Sequence, residues 1–197
     1  MDLYLASTSP RRSAILRRLG LASQTLSPAP DPDPDPALPP ERLAVLHALH
    51  KARSACPAVR RGIVVGTDTV VCLGDAILGK PRDRSEAEQM LRRLSGRTHR
   101  VVSGVAAVRV PGGVSLTGHA VTSVTFRRLG EPELRSYAGS REPLDKAGAY
   151  GIQGLAGGFV SRVDGGYLNV VGLPVLCLLD VLRRADPSGS WLRASSS

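Results

Sequence analysis

The stretch "GTDTVV", residues 66–71, sets a carboxylate between two strand-forming runs. Val64 and Val65 lead into Thr67-Asp68-Thr69, and Val70 and Val71 lead away. An acid so placed has no helix to cap, and its neighbours are not the residues a turn recruits. A carboxylate fixed in rigid β structure suits a general base or a metal ligand. A second stretch, "STSPRRS" at 7–13, puts two hydroxyls at a strand end and Arg11 and Arg12 in the first turn of a helix. That end of a helix already offers free N–H groups and partial positive charge, so cations belong there only beside an anion. A Ser9 cap with two solvated arginines accounts for the same residues equally well.

Residues 74–81, "GDAILGKP", match the phosphate-cradling pattern G-x-x-x-x-G-K-[ST] except at Pro81, where a hydroxyl is required. The interior Ala76-Ile77-Leu78 is strand-like and the next helical signal waits until Ser85, so the loop cannot open into a helix as that pattern demands. Gly79 and Pro81 instead hold Lys80 on a stiff turn, 12 residues after Asp68, as a point charge for phosphate. The stretch "EPLDKAGAYGIQG", residues 142–154, gathers three glycines, a lysine, a tyrosine and an amide. Such a loop lets backbone approach a ligand, and Gln153 can both donate to and accept from a base edge.

Elements must position these groups. Leu3–Ala6 reads as a buried strand, followed by a helix from Pro10 to Leu19 that ends at Gly20. Residues 28–40, "PAPDPDPDPALPP", form an extended, exposed segment, because proline after proline lacks an N–H. A helix is expected over 41–55. Two strand runs flank the polar centre at 67–69, and a helix opened by a Ser85/Glu88 capping box follows, with Ala87, Met90, Leu91 and Leu94 on one face. Strands are expected over 99–110 and 114–128, a short helix over 131–138, a strand pair over 158–164 and 167–171, and a last helix from Pro174 to Arg184. Residues 1–185 then form one domain with the Pro-Asp loop inside it, and the Ser-rich tail 186–197 is expected to be disordered. Strands and helices mixed without an internal repeat imply an α/β fold, a mixed sheet with flanking helices. The long central hairpin suggests two lobes, with the polar motifs around a central cleft.

The bulk composition narrows the function. Net charge is +9, yet only three of the 26 basic residues are lysines, Lys51, Lys80 and Lys146, which looks like a coding preference for Arg. With aromatic residues at 4% there is little to stack bases, so a nucleic-acid surface is not expected, and a small polyanion such as a nucleotide is the better partner for the charge. A lysine retained against that preference marks a place wanting a compact ammonium. No apolar run is long enough to span a membrane, the start of the chain lacks a secretory pattern, and Cys56, Cys72 and Cys177 stand apart, so a cytoplasmic protein is expected.

The ordered set "LASTSPRR", "HKARS", "GTDTVV", "GKPRD", "LRRLSGRTHRVVSG", "EPLDKAGAYGIQG" and "VVGLPV" resembles the Maf family of nucleotide pyrophosphatases over residues 3–184. The resemblance implies a fold similar to that of inosine triphosphate pyrophosphatases. "SPRR", "GTDT" and "AYGIQG" are similar to the branch acting on dTTP and UTP. It further implies Asp68 as proton acceptor, Arg11, Thr69 and Gln153 as base-selecting residues, and Ser7, Arg12, Lys51 and Lys80 as the phosphate grip. A divalent cation, magnesium or manganese, would accompany a nucleoside triphosphate substrate, and a homodimer is the expected assembly. The family's glutamate after the first helix is missing here, and Pro32 falls at its position. Either Asp33, or failing that Asp31, takes over as the ligand, or this chain does without that interaction. The alternative function, a non-catalytic nucleotide-binding regulator of septum formation on the same scaffold, would not need Asp68.

Overall fold

The computed structural model describes residues 1–33, 35 and 38–192. Its strands are β1 (Leu3–Ala6), β2 (Ser23–Leu26), β3 (Gly62–Leu73), β4 (Ala76–Leu78), β5 (Thr98–Val110), β6 (Ser115–Phe126) and β7 (Val160–Asp164). Its helices are α1 (Pro10–Arg18), α2 (Pro40–Ala55), α3 (Arg84–Leu94), α4 (Glu131–Ala138), α5 (Tyr167–Val171) and α6 (Val175–Ala185). The strands are hydrogen-bonded in the order β2-β1-β3-β5-β6-β7, with β4 on β3. The sheet is mixed: β1 runs parallel to both β2 and β3, whereas β4 returns antiparallel on β3 and β7 is antiparallel to β6.

The chain forms two compact units. The first comprises Met1–Asp68, Ser103–Ala120 and Gly172–Ser197, and the second Thr69–Val102 and Val121–Val171. In the first, Ala6, Ala48, Ala52, Val64, Ala106 and Val108 pack α2 onto β1, β3 and β5. Small residues dominate that seam because α2 lies almost on the sheet: a Cβ on Gly66 would stand 2.7 Å from the Ala52 backbone nitrogen. In the second, the apolar stripe of α3 (Ala87, Met90, Leu91, Leu94) packs with Val101, Val124, Phe126 and Leu134. Burying such a stripe is what makes an 11-residue helix stable.

Several expectations need correction. β3 is one continuous strand through Thr67-Asp68-Thr69, because a polar side chain does not disturb the ladder. The cap of α3 is Asp83, whose carboxylate accepts from the Glu86 N–H at 2.8 Å, while Glu86 accepts from the Arg82 N–H; the Ser85/Glu88 box starts two residues too late. Residues 167–171 are helical and not a strand partner of β7. The β-branched look of "YLNVV" is overridden by Asn169, whose amide donates to Val101 O at 3.1 Å and Thr122 Oγ1 at 2.9 Å, holding the segment against β5 and β6. β2 carries no hydrophobic alternation and gave no sequence signal. In the segment assigned to a disordered tail, Trp191 is 1% exposed, and Asp186 accepts from the Ser188 and Ser190 hydroxyls. Residues 193–197 of that tail lie outside the described residues.

Candidate active site

The close approach of α2 to β3 creates the main polar cluster. Side chains alternate along a strand, so Gly66 and Asp68 share one face of β3. Gly66 lets α2 descend, and residues 47 and 51, one turn apart on that helix, reach the carboxylate two positions further on. Lys51 Nζ donates to Asp68 Oδ1 at 2.6 Å, and His47 Nδ1 bonds Asp68 Oδ2 at 3.3 Å. The lysine contact is the firmer, since 3.3 Å is long for this bond. The same ammonium pairs with Asp31 Oδ2 at 2.8 Å.

Asp31 reaches Lys51 because α2 also stitches down the Pro-Asp segment. His50 Nε2 bonds Pro30 O at 2.8 Å, and Ser54 Oγ accepts from the Ala29 N–H at 3.0 Å. The acid placed on the cluster is thus Asp31, whereas the sequence favoured Asp33. The reason is register: in an extended chain the residue next to the stitched pair is the one the helix presents to Lys51. Pro34, Pro36 and Ala37 of the same segment lie outside the described residues.

Burial alone would push the Asp68 carboxyl up, but the His47 bond, the Lys51 charge and bond, and the Arg12 charge hold it down at about 2. Asp68 is therefore ionised throughout the physiological range. The bond to Asp68 lifts His47 above its usual value against the opposing effect of burial.

Ser7 directly follows β1 and is buried; its Oγ accepts from the Ser9 N–H and from Arg12 Nη1, both at 3.2 Å. Arg12 Nε also donates to Gly172 O at 2.9 Å. Ser9 is the N-cap residue of α1 but makes no side-chain cap bond, so the reading of a capped helix with solvated arginines does not hold for Arg12. Burial draws Arg12 below the ordinary arginine range, opposed by the charges of Asp68 and Asp31. Arg11 precedes it, half-buried, in the same first turn. Ser7, Arg12, Lys51 and Asp68 are accordingly brought together in the first unit, with Asp31 and His47 added.

Thr69, Lys80 and Gln153 belong to the second unit. Thr69 is half-buried and points to the opposite face of β3 from Asp68. Lys80 is exposed on the turn after β4, and that turn is tied to the 142–154 stretch by the Gly148 N–H donating to Gly79 O at 3.0 Å. Gln153 is exposed in a run of short 3-10 turns. The glycines there have a reason the sequence did not reveal. A Cβ on Gly151 would stand 2.8 Å from Glu142 Oε1, and one on Gly154 would collide with the same carboxylate. They make room for the protein's own Glu142 instead of an approaching ligand.

Sequence reasoning missed His47, although its i, i+4 spacing to Lys51 was a usable signal; Glu142 and the His50/Ser54 stitch gave none. Asp31, His47 and Asp68 each offer a ligand atom, all within 4.8 Å of one another. The two carboxylates, which hold an ammonium between them, fit a hard divalent cation, while His47, already bonded to Asp68, is suited to orienting that carboxylate.

Residues 2–185 match the family described as Maf-like protein. A dTTP/UTP pyrophosphatase of Carboxydothermus hydrogenoformans is 42% identical, the match covering 93% of this chain and 98% of that one. The dTTP/UTP pyrophosphatase of Symbiobacterium thermophilum is 46% identical over 88% of this chain and 89% of its own. That of Anaeromyxobacter dehalogenans strain 2CP-C is 46% identical over 96% of each. Among solved structures, the Staphylococcus aureus Ham1 protein overlaps 64% of this chain and 72% of its own at 14% identity, with a TM-score of 0.43, too loose a likeness to carry a conclusion.

Proposed function

The chain belongs to the Maf-like protein family, and from that premise we infer that it is a nucleoside triphosphate pyrophosphatase hydrolysing dTTP and UTP to the nucleoside monophosphate and pyrophosphate. The observation that carries the reading is the paired hold on Asp68 by Lys51 and His47, which keeps a carboxylate ionised and aimed inside a cationic cluster. A half-buried acid held by this many cationic groups is the kind of perturbed carboxylate that marks a functional site.

In this reading the water oxygen adds at the α-phosphorus, the α–β anhydride bond breaks, and pyrophosphate leaves with its electron pair. Asp68 takes the water's proton. At a pKa of about 2 it is a weak base, and the fit between a base and its task improves as its pKa approaches the working pH. Arrival of the triphosphate supplies the change: as Lys51 turns from Asp68 to a phosphate oxygen, one of the bonds holding the carboxyl down is broken and its basicity rises. Arg12 and Ser7, already bonded to each other, give the phosphates a fork and a hydroxyl, and Lys80 adds a point charge. Asp31 and Asp68 would hold a divalent cation, magnesium or manganese, which when bound neutralises phosphate charge and activates water. Arg11, Thr69 and Gln153 would read the base: a pyrimidine edge with two carbonyls flanking an N–H is met by donors from Arg11 and by Gln153 and Thr69, which do both.

The test is a panel of nucleoside triphosphates assayed for pyrophosphate and orthophosphate separately. UTP and dTTP should lead, releasing pyrophosphate. Orthophosphate as the first product, or equal turnover of all triphosphates, would overturn the reading.

A further inference from the structure

The second unit contains a buried hydrogen-bonded pair that the proposed chemistry does not use. His99, on β5, is 1% exposed, and its Nε2 lies 2.8 Å from the hydroxyl of Tyr150, itself 6% exposed. The other ring nitrogen, Nδ1, is buried without a partner. The two rings and Phe126 meet edge to face, with centroids 5.0 Å apart for His99–Phe126, 5.3 Å for His99–Tyr150 and 4.9 Å for Phe126–Tyr150. Burial lowers the imidazole to about 4 and raises the Tyr150 phenol, so both members stay neutral at working pH. A histidine that leaves one nitrogen orphaned to keep a single bond costs stability relative to an apolar ring. What that bond fixes is Tyr150, and with it the loop that follows.

Around Tyr150 the backbone is unusual. Gly148 and Ala149 both have positive φ, 70° and 60°, and the second is not a glycine. Such a residue is uncommon, and it persists only where its surroundings over-determine it. The restraints are visible on both sides. Upstream, the Gly148 N–H donates to Gly79 O, next to Lys80. Downstream, the Gly151 N–H donates to the Tyr137 hydroxyl at 3.1 Å, two residues before Gln153. Tyr150 is the side chain that anchors the segment between these two ties.

We propose that His99 and Tyr150 are positioning residues for base selection: their buried bond sets the place of the loop that carries Gln153, and through it the discrimination of pyrimidine from purine triphosphates. This rests on the reading of Gln153 as a base-contacting residue. A side chain exposed at the end of a glycine-rich loop discriminates only if its backbone is held, since an amide displaced by about 1 Å loses most of its hydrogen bond to the base.

The experiment compares kcat/KM for UTP with that for GTP in Tyr150→Phe, which deletes one oxygen and keeps the ring. The ratio should fall about fivefold or more, the worth of about one hydrogen bond, mainly through slower turnover of UTP. His99→Leu should behave alike, whereas His99→Gln, whose amide can replace Nε2, should keep the ratio within about twofold of the parent. Phe126→Leu serves as the packing control and should lower thermal stability without moving the ratio. Two results overturn the inference: an unchanged ratio in Tyr150→Phe, or an equal change in Phe126→Leu. Gln153→Ala separates the two levels. If it moves the ratio while Tyr150→Phe does not, base reading by Gln153 stands and the positioning role falls; if it leaves the ratio unmoved, both fall.

Discussion

The Asp68 cluster of the first unit and the 142–154 loop of the second are held by opposite means. Asp68 sits in the middle of a 12-residue strand and is gripped by charges from a 16-residue helix. The loop runs through one-turn 3-10 segments and is gripped by ring packing, by Glu142 filling the space its glycines leave, and by single hydrogen bonds. The difference teaches where precision is needed. In the proposed function Asp68 must start ionised and be held in place to accept a proton, and a regular strand beside a regular helix supplies that hold. Gln153, in the same reading, meets the base from a backbone that turns sharply, together with Arg11 on α1 and Thr69 on β3. The two lysines repeat the contrast: the Lys51 side chain is 12% exposed and shared between two carboxylates, whereas Lys80 stands exposed on a turn.

The largest effect should come from the gripped acid. Asp68→Asn keeps the size of the side chain and removes its charge, so hydrolysis should fall by about a hundredfold or more, the worth of a general base. Pyrophosphate release from UTP measures it, with circular dichroism to show that the variant folds. Turnover within a few-fold of the parent would leave the cluster a structural ion pair and erase the comparison.

The same variant tests the electrostatic hold. Asp68 is drawn from its ordinary 3.8 to about 2, a depressed carboxyl, so its contribution to stability is present above about pH 4 and fades as pH falls through about 2. The size is about 2 kcal/mol. Denaturant unfolding across pH should show a gap between parent and Asp68→Asn that closes as pH falls from about 4 to about 2. The gap also narrows as pH rises above about 6.5, where His47, raised by its bond to Asp68, gives up its proton and its share of the hold. Parallel curves throughout would mean that the bonds from Lys51 and His47 do not form in solution.

Much of this was legible in the sequence, and unevenly. Asp68, Arg12 and Lys51 could be singled out because charge in an apolar or helix-starting context is costly unless it is used, and the preference for Arg made Lys51 stand out. Helix spans were recovered where an apolar stripe ran along one face, as with Ala87, Met90, Leu91 and Leu94 of α3. What failed were features decided by distant partners. Asn169 turns 167–171 into a helix from 47 residues away, at Thr122, and Trp191 is buried by a fold its Ser-rich neighbours do not announce. The glycines of the loop were read as room for a ligand because a sequence cannot say whose atoms fill the space. Asp31 could not be chosen over Asp33 without knowing that His50 and Ser54 stitch Pro30 and Ala29 to α2.

That last choice gives a third, smaller effect. Asp31→Ala removes a carboxylate paired with Lys51 and close to Asp68, so the variant should need several-fold more magnesium or manganese for half-maximal rate, about 1 kcal/mol of weakened ligation. Asp33→Ala should titrate like the parent. If the two variants exchange behaviour, the Pro-Asp segment in solution presents Asp33 to Lys51 in place of Asp31; if neither shifts, the segment is a spacer and the cation depends on Asp68.

The smallest effect separates the two lysines by their solvent. Lys80 is exposed, and an exposed charge facing a phosphate through water is worth at most about 1 kcal/mol at low salt. Its field is screened over about 10 Å at 0.1 M salt and over about 3 Å at 1 M. Lys80→Met should therefore raise KM for UTP a few-fold at low salt and scarcely at all near 1 M, with kcat little changed, and Lys80→Arg should restore most of the loss because only a positive charge is asked of it. Lys51 is enclosed by Asp31, Asp68 and α2, where added salt cannot follow. Lys51→Met should raise KM by a factor that salt does not reduce, and Lys51→Arg should fail to rescue it, since a planar fork does not fit a space shaped by one ammonium at 2.6 and 2.8 Å from two carboxylates. A salt-insensitive loss in Lys80→Met would show that the turn closes over the substrate and buries this lysine too. The second unit would then hold its charge as tightly as the first, and the contrast between them would belong to the free enzyme alone.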